Sequence, residues 1–444
     1  MNIYRQLLIV LLTAVLLISV GAGGIVQAAT ADAYDADVAI SWFDLQLDLA
    51  QTTPGFTPPV VSRAFAYSGV ALYEAIAPGM PGYQSLAGQL NELASLPQPD
   101  AGLDYDWRIV ANSALYEITH QLYFNTPEEN QRAIEDLYMQ WHNLLADDST
   151  AEIVEQSVIR GQVIANAIHE WSLTDGGYQG QLSNFPDTYQ PSIGMGFWIE
   201  TPRPNGDPLP AMQPYWGDNR SFAISMDQEC VLAAPPAYSE DEDSAFYAEA
   251  LEVYEVVNNL TPEQEAIALF WADDPGTTAT PPGHSISILN QVLMQEEATL
   301  AVAAEAYAKM GIVQADAFIL GWYYKFHYNL IRPVSYIHHH LDADWSSPVV
   351  TPPFPEYPSG HSVQSGAAAE ILSQMFGSDY VLTDHTHDER GLAPRTFESF
   401  SALAEEAAIS RLYGGIHYRA AIEQGMENGK CIGAVVNALP FKAE

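Results

Sequence analysis

The chain is poor in cysteine, in positive charge and in long apolar runs, and each shortage narrows what it can be. Cys230 and Cys431 are the only two cysteines in 444 residues. Neither a Cys-x-x-Cys pair nor Cys/His zinc spacing occurs, which excludes a zinc-finger module. In an exported chain the two could pair, but two buried free thiols fit the sequence equally well. Only 16 Lys and Arg stand against 56 Asp and Glu, a formal net charge of −40. A surface of that sign disfavours nucleic acid and anionic lipid as partners and suits solubility in salty surroundings. The one long apolar run lies at the start, from Leu7 to Val20, with Arg5 before it and Val26-Gln27-Ala28 after it. Residues 1–28 therefore read as a cleaved signal peptide, and no cysteine follows the run to carry a lipid. The expectation is a secreted or periplasmic protein with no membrane attachment after cleavage. No other segment is apolar for long enough to span a bilayer.

Strand patterning is scarce as well. Apolar residues recur at helical spacing over 36–51, 59–77, 107–123, 127–146 and 152–171. Residues 173–243 differ, collecting Gly176-Gly177, Pro208, Pro210, Pro214, Pro235 and Pro236 beside Trp198, Tyr215 and Trp216. Aromatics of that size need burial, so this stretch predicts irregular chain wrapped over helices and not a free linker. Helical patterns resume at 245–258 and behind the capping box Thr261-Pro-Glu-Gln264. They continue from Thr280, then over 296–310, 314–331, 362–376, 397–413 and 418–436. The fold class is all-α: two helical bundles with a long irregular Pro/Gly-rich connection. An N-terminal part over 29–243 and a C-terminal catalytic part over 244–444 divide it, within what can be one integrated domain.

The chemistry concentrates in the C-terminal part. In Pro352-Pro-Phe-Pro-Glu-Tyr-Pro358-Ser359-Gly360-His361 three prolines stiffen the approach, and Ser359 sits where a helix N-cap would sit. Free N–H groups at a helix start make an anion site, to which Ser, Gly and His add donors or close approach. Upstream, Lys325 and Arg332 are seven residues apart, which on one helix would place both on one face, and Pro333 stops the helix there. Downstream, Gly414-Gly415 breaks the helix between Arg411 and His417. Two Arg, one Lys, two His, a Ser and a Gly then surround one point, an oxyanion cradle in an anionic protein.

These three segments resemble the signature of the type 2 acid phosphatase and vanadium haloperoxidase superfamily: Lys-x6-Arg-Pro, Pro-Ser-Gly-His, then Ser-Arg-x5-His-x3-Asp. Every position matches except the last, where Ala421 stands for Asp. The resemblance implies that vanadate, or a phosphoryl group, sits among Lys325, Arg332, Ser359, Gly360, His361 and Arg411. It makes His417 the metal ligand or phosphorus nucleophile, His361 the acid–base group, and Lys325 a catalytic charge. Trp322 and Phe354 match in type the residues that line the halide side in fungal and bacterial haloperoxidases. Further flanks, among them Asp316-Ala-Phe-Ile and Thr351-Pro-Pro-Phe, also resemble haloperoxidase-like sequences. The loss of the Asp, which would orient a nucleophilic His, and the anionic surface, which handicaps capture of phosphate esters, lean the same way.

The implied activity is a vanadium-dependent haloperoxidase using hydrogen peroxide and halide, iodide before bromide, with a small organic acceptor. An acid phosphatase phosphorylated on His417 and a non-catalytic oxyanion binder remain open, as does the oligomeric state. Among other residues, His338-His339-His340 reads as solvated loop, Asp273 and Asp274 as solvated, His284 and His327 as candidate pocket residues, and Asp316 as a candidate partner for Arg411.

Overall fold

The computed structural model describes residues 29–201, 207–225 and 229–443, so the expected signal peptide lies outside the described residues. Ser and Thr side chains accept the first free N–H of many helices, as Thr150, Ser244, Thr299, Ser359 and Ser399 do here. Thr261 and Gln264 form the reciprocal capping box that their spacing predicts. Helices α1 (Asp37–Thr52), α2 (Pro58–Ile76), α3 (Trp107–Leu122), α4 (Glu128–Ala146) and α5 (Ala151–Ser172) make the first bundle. The rest are α6 (Ala245–Asn258), α7 (Pro262–Phe270), α8 (Thr280–Gln295), α9 (Leu300–Tyr328), α10 (Pro333–His340), α11 (Gly360–Phe376), α12 (Phe400–Tyr413) and α13 (Arg419–Asn437).

Every residue of α2 is buried, and α9 is buried along most of its length, so these two form the spine between the bundles. They touch backbone to backbone. A Cβ on Gly69 would stand 2.3 Å from the Tyr307 carbonyl oxygen, and one on Gly311 would stand 2.7 Å from the Ala66 Cα. One continuous apolar cluster reaches from Ala31 to Phe441 across both parts.

Three local expectations change. The patterns at 296–310 and 314–331 are one helix, α9, which runs unbroken through Gly311 where it packs against α2. That helix ends at Tyr328 with Asn329 in a left-handed conformation, φ 46°, and Arg332 becomes the residue preceding α10. Lys325 and Arg332 therefore share no helix face; a turn, not a helical period, brings them together. The triple histidine belongs to α10 and not to a loop; His339 is exposed, and His338 Nε2 lies 2.6 Å from the Trp345 carbonyl oxygen. A short antiparallel hairpin, β1 (Leu382–Asp384) and β2 (Arg395–Phe397), pairs Thr383 with Thr396.

The segment after α5 wraps the second bundle as irregular chain pinned by hydrogen bonds. Trp198 N–H donates to Asn329 O at 2.8 Å, Ile331 N–H to Gly196 O at 2.9 Å, and Met212 N–H to Pro353 O at 2.8 Å. Asp316, buried on α9, accepts from the backbone N–H groups of Phe222, Ala223 and Ile224 at 2.6, 2.8 and 3.1 Å. It is therefore the clasp of the wrap and not the partner of Arg411. Cys230 and Cys431 form a disulfide that ties the end of this wrap to α13, with their Cα atoms 5.5 Å apart.

Because that bond closes a loop of 201 residues, losing it should cost roughly 2–5 kcal/mol. Adding reductant should lower the melting temperature of the parent chain by several degrees and leave a Cys230→Ser/Cys431→Ser variant unmoved. Equal melting of parent and variant without reductant would show that the bond does not stabilise the fold.

Candidate active site

The stiff strap Pro352–Pro358 leads into the N-terminus of α11, where Ser359 Oγ accepts from Ser362 N–H at 3.3 Å and from Ser362 Oγ–H at 2.9 Å. Its own hydroxyl proton is left for another acceptor. Gly360 opens the helix, and a Cβ placed there would meet only ordinary contacts, Trp322 at 3.8 Å and Lys325 at 4.0 Å. Packing does not demand glycine at this position; open cavity lies in front of it.

Arg332 reaches the strap and the turn before α13. Its Nε donates to Phe354 O at 2.9 Å and its Nη1 to Ile416 O at 2.8 Å, with His417 Nε2 a further 3.1 Å contact of the same nitrogen. The break at Gly414-Gly415 carries the chain over to that point, Gly415 taking φ +72°, which a side chain would resist. Arg411, on α12, donates from Nη1 to Trp271 O at 2.8 Å. Lys325 gives all three of its protons to the strap carbonyls of Pro355, Glu356 and Pro358. Its charge thus lies inside the cradle while its N–H bonds hold the strap.

Glu356 is the residue that sequence reasoning missed. Its Oε1 accepts from His417 Nδ1 at 2.9 Å and from the Tyr418 N–H at 2.9 Å. Both the carboxylate on Nδ1 and the Arg332 donor at Nε2 favour one tautomer, with the proton on Nδ1 and the lone pair on Nε2. This is the carboxylate–imidazole arrangement that the family's absent Asp would provide, supplied from the strap instead of from Ala421. The signal was an acidic residue inside an otherwise apolar, proline-rich approach to Ser359. Ala421 as a handicap to His417 is accordingly withdrawn.

Burial dominates the electrostatics. It pushes Lys325, His361 and His417 well below their ordinary pKa values, helped by Arg332 for Lys325 and His417 and by Arg411 for His361. Arg332 and Arg411 are lowered to about 9 and about 10 by the same desolvation. Glu356 is raised to about 7 by burial against the pull of Arg332. Both histidines are thus neutral bases in the free site. Three polar atoms in the cradle have no hydrogen-bond partner among the described residues: the donors Arg332 Nη2 and Arg411 Nε, and His361 Nε2. His361 has a hydrogen bond to the backbone at Trp271, which leaves its Nε2 facing elsewhere.

Gly360, His361, Arg411 and His417 line one cavity of about 750 Å³ together with Trp322 and Phe354, whose rings are 4.9 Å apart. Phe56, Phe185, Met212 and Phe318 extend its apolar wall, and Asp273 and Asp274 stand on the other side. The structure thus joins the three motifs and the two aromatics in one place. His327 is exposed on α9 away from the cavity. His284 is buried outside its lining, between Asp273 and Asp384. Asp273 is buried too, because two histidines face it, whereas Asp274 is exposed at the cavity. These two, Asp274 first, are the carboxylates acting on Arg411.

A mostly helical double bundle with arginines, a lysine and two histidines buried at one cavity is the class that fold and site define. A family model of the VCPO second helical-bundle domain matches residues 305–440. The crystal structure of the first bacterial vanadium-dependent iodoperoxidase superposes with a TM-score of 0.82 at 36% identity, covering 91% of this chain and 96% of that one. The chain belongs to the vanadium-dependent haloperoxidase family. A holo-type bacterial vanadium-dependent chloroperoxidase shares the fold, with a TM-score of 0.63 at 16% identity over 87% of this chain and 92% of that one. The vanadium chloroperoxidase of Curvularia inaequalis is 25% identical over 295 residues, 50% of this chain and 48% of that protein, so this chain spans about half of that relative.

Removing the carboxylate should loosen His417. Glu356→Ala is expected to weaken orthovanadate binding by roughly 10- to 100-fold, and Glu356→Gln, which keeps an acceptor, by less. Equilibrium dialysis measures both, with circular dichroism to check the fold. Parent-like affinity in Glu356→Ala would show that the contact does not position the ring.

Proposed function

We propose that the protein is a vanadium-dependent haloperoxidase that oxidises halide, iodide foremost, with hydrogen peroxide to hypohalous acid. The observation that carries this reading is the set of buried unsatisfied donors beside a neutral His417 Nε2 and an open Gly360. Buried donors without acceptors cost free energy, and like charges crowd together, so the residues fit a small oxyanion beside an imidazole nitrogen. Arg332, Arg411, Ser359 and the Gly360 N–H would hold the oxygens of vanadate, and His417 Nε2 would hold the metal. Vanadate, when bound, supplies Lewis acidity that activates hydrogen peroxide towards halide.

The chain does the rest. Glu356 keeps the His417 proton on Nδ1. His361, neutral through burial, takes the peroxide proton on Nε2 and returns it to the leaving oxygen. Lys325 holds the strap and adds positive charge where negative charge must be stabilised. Trp322 and Phe354 give the halide a weakly hydrating wall, which favours a large, easily dehydrated anion. The iodoperoxidase relative and the relative ease of oxidising iodide support that halide first, bromide second. A small organic acceptor fits the apolar side of the cavity. The N-terminal segment supports export.

One observation favours a second reading. Because Glu356 aligns His417, the same nitrogen could attack a phosphate ester. Both activities should be measured on one preparation: an aromatic phosphate ester without vanadate, iodide plus peroxide with it. Iodide oxidation should appear on adding orthovanadate, dominate, and fall when excess phosphate competes. His361→Ala should keep vanadate and lose turnover by roughly 100- to 10,000-fold, while His417→Ala should lose vanadate. Halide oxidation that persists without vanadate rejects the reading. Brisk ester hydrolysis with no iodide oxidation at any vanadate concentration would select the phosphatase.

A further inference from the structure

Behind the cradle, and sharing no residue with it, lies a second buried constellation. Asp273 comes from the loop after α7, His284 from the second turn of α8, and His387 from the loop of the hairpin. The ligand-type atoms of these three all lie within 4.8 Å of one another. His284 Nδ1 is 2.8 Å from Asp273 Oδ2, and His387 Nε2 is 3.2 Å from Asp273 Oδ1.

The orientation of the second pair is the informative observation. At 3.2 Å the two atoms are close enough to share a proton, yet both Asp273 Oδ1 and His387 Nε2 are without a hydrogen-bond partner among the described residues. Both side chains are almost wholly buried, 1% and 2% exposed. A buried carboxylate oxygen and imidazole nitrogen this close, without a well-formed hydrogen bond and with a second imidazole within 4.8 Å, suit a shared cation. A second feature agrees. His284 places its other nitrogen, Nε2, 2.7 Å from Asp384 Oδ2, and Asp384 is itself held by the Thr386 N–H at 2.9 Å. A carboxylate behind a ligating histidine fixes its tautomer and raises its basicity.

We infer that Asp273, His284 and His387 form a binding site for a divalent transition-metal ion, with Asp384 supporting His284. Two imidazoles and one carboxylate are the donor set of zinc, and four-coordinate zinc with bonds of about 2.0–2.1 Å spaces its donors by roughly 3.3 Å. Calcium or magnesium would need several more oxygens. Two carboxylates and two neutral imidazoles around a divalent cation carry no net charge, which suits burial. Asp273 also lines the cavity, giving the ion a way in and a place for an exchangeable fourth ligand. The ion would lock the loop after α7, α8 and the hairpin together. These elements carry the carboxylates acting on Arg411 and flank the Trp271 carbonyl that Arg411 and His361 use. The site would therefore brace the cradle from outside.

The test uses the full-length chain, stripped with a chelator and kept free of vanadate. Dialysis against micromolar zinc should load one ion per chain and raise the melting temperature by several degrees, while magnesium does neither. Cobalt(II) should give visible absorption of a low-coordinate site. His387→Ala, in a hairpin loop, should fold and retain less than a tenth of the zinc, and Asp384→Asn should bind it roughly 10- to 100-fold more weakly. A stripped parent chain that takes up no zinc overturns the site, and the cluster is then His284 protonated between two carboxylates. Undiminished zinc uptake by His387→Ala overturns it as well.

Discussion

Burying three cations, Lys325 and Arg332 near the carboxylate of Glu356 and Arg411 near those of Asp274 and Asp273, is the constraint on which the structure depends. Each ion loses hydration worth several kcal/mol, and the chain compensates with fixed oxygens. The strap carbonyls of Phe354, Pro355, Glu356 and Pro358, with those of Ile416 and Trp271, accept from the three cations. The strap must therefore be rigid, which explains its prolines. Glu356 has two tasks at once, offsetting part of the positive charge and holding His417. Arg332 Nη2 and Arg411 Nε are left without protein acceptors, which is the imbalance an anion would relieve.

Rigidity at the cradle is borrowed from distant parts of the chain. The irregular wrap clamps the strap through Met212 and the turn after α9 through Gly196 and Trp198. Trp322, beside Lys325 on α9, donates from Nε1 to Met212 O at 3.3 Å. Asp316 gathers the far end of the wrap, and the disulfide fastens it to α13. A segment with almost no regular structure thus sets the wall of the cavity, and the first bundle supports it through the α2–α9 contact. Half the chain contributes no cradle residue and is still needed to hold the others still.

The same economy governs charge at the surface. Acidic residues outnumber basic ones 56 to 16, so a multiply charged ester approaches against the field, whereas neutral peroxide does not.

Much of this was legible in the residues alone. Helical periodicity, Ser and Thr caps and the three motifs are local, so the all-α class and the cradle residues could be read in order along the chain. Other features were not local. That Arg332 follows a left-handed turn at Asn329, and not the helix of Lys325, depends on the chain being caught by Gly196. Glu356 could be recognised as the partner of His417 only once a separation of 61 residues closed to 2.9 Å. Asp316 reads as an acid near the site until three backbone N–H groups from the wrap claim it. Asp273 and His284 look solvated or pocket-lining until the hairpin brings His387 against them. Sequence by itself determined which side chains could bind an oxyanion, because donor type and short spacing are written in contiguous residues. Tertiary structure decided which carboxylate serves which cation or histidine, because a buried charge pairs with whatever the fold places within hydrogen-bond reach, and that distance is not encoded in spacing.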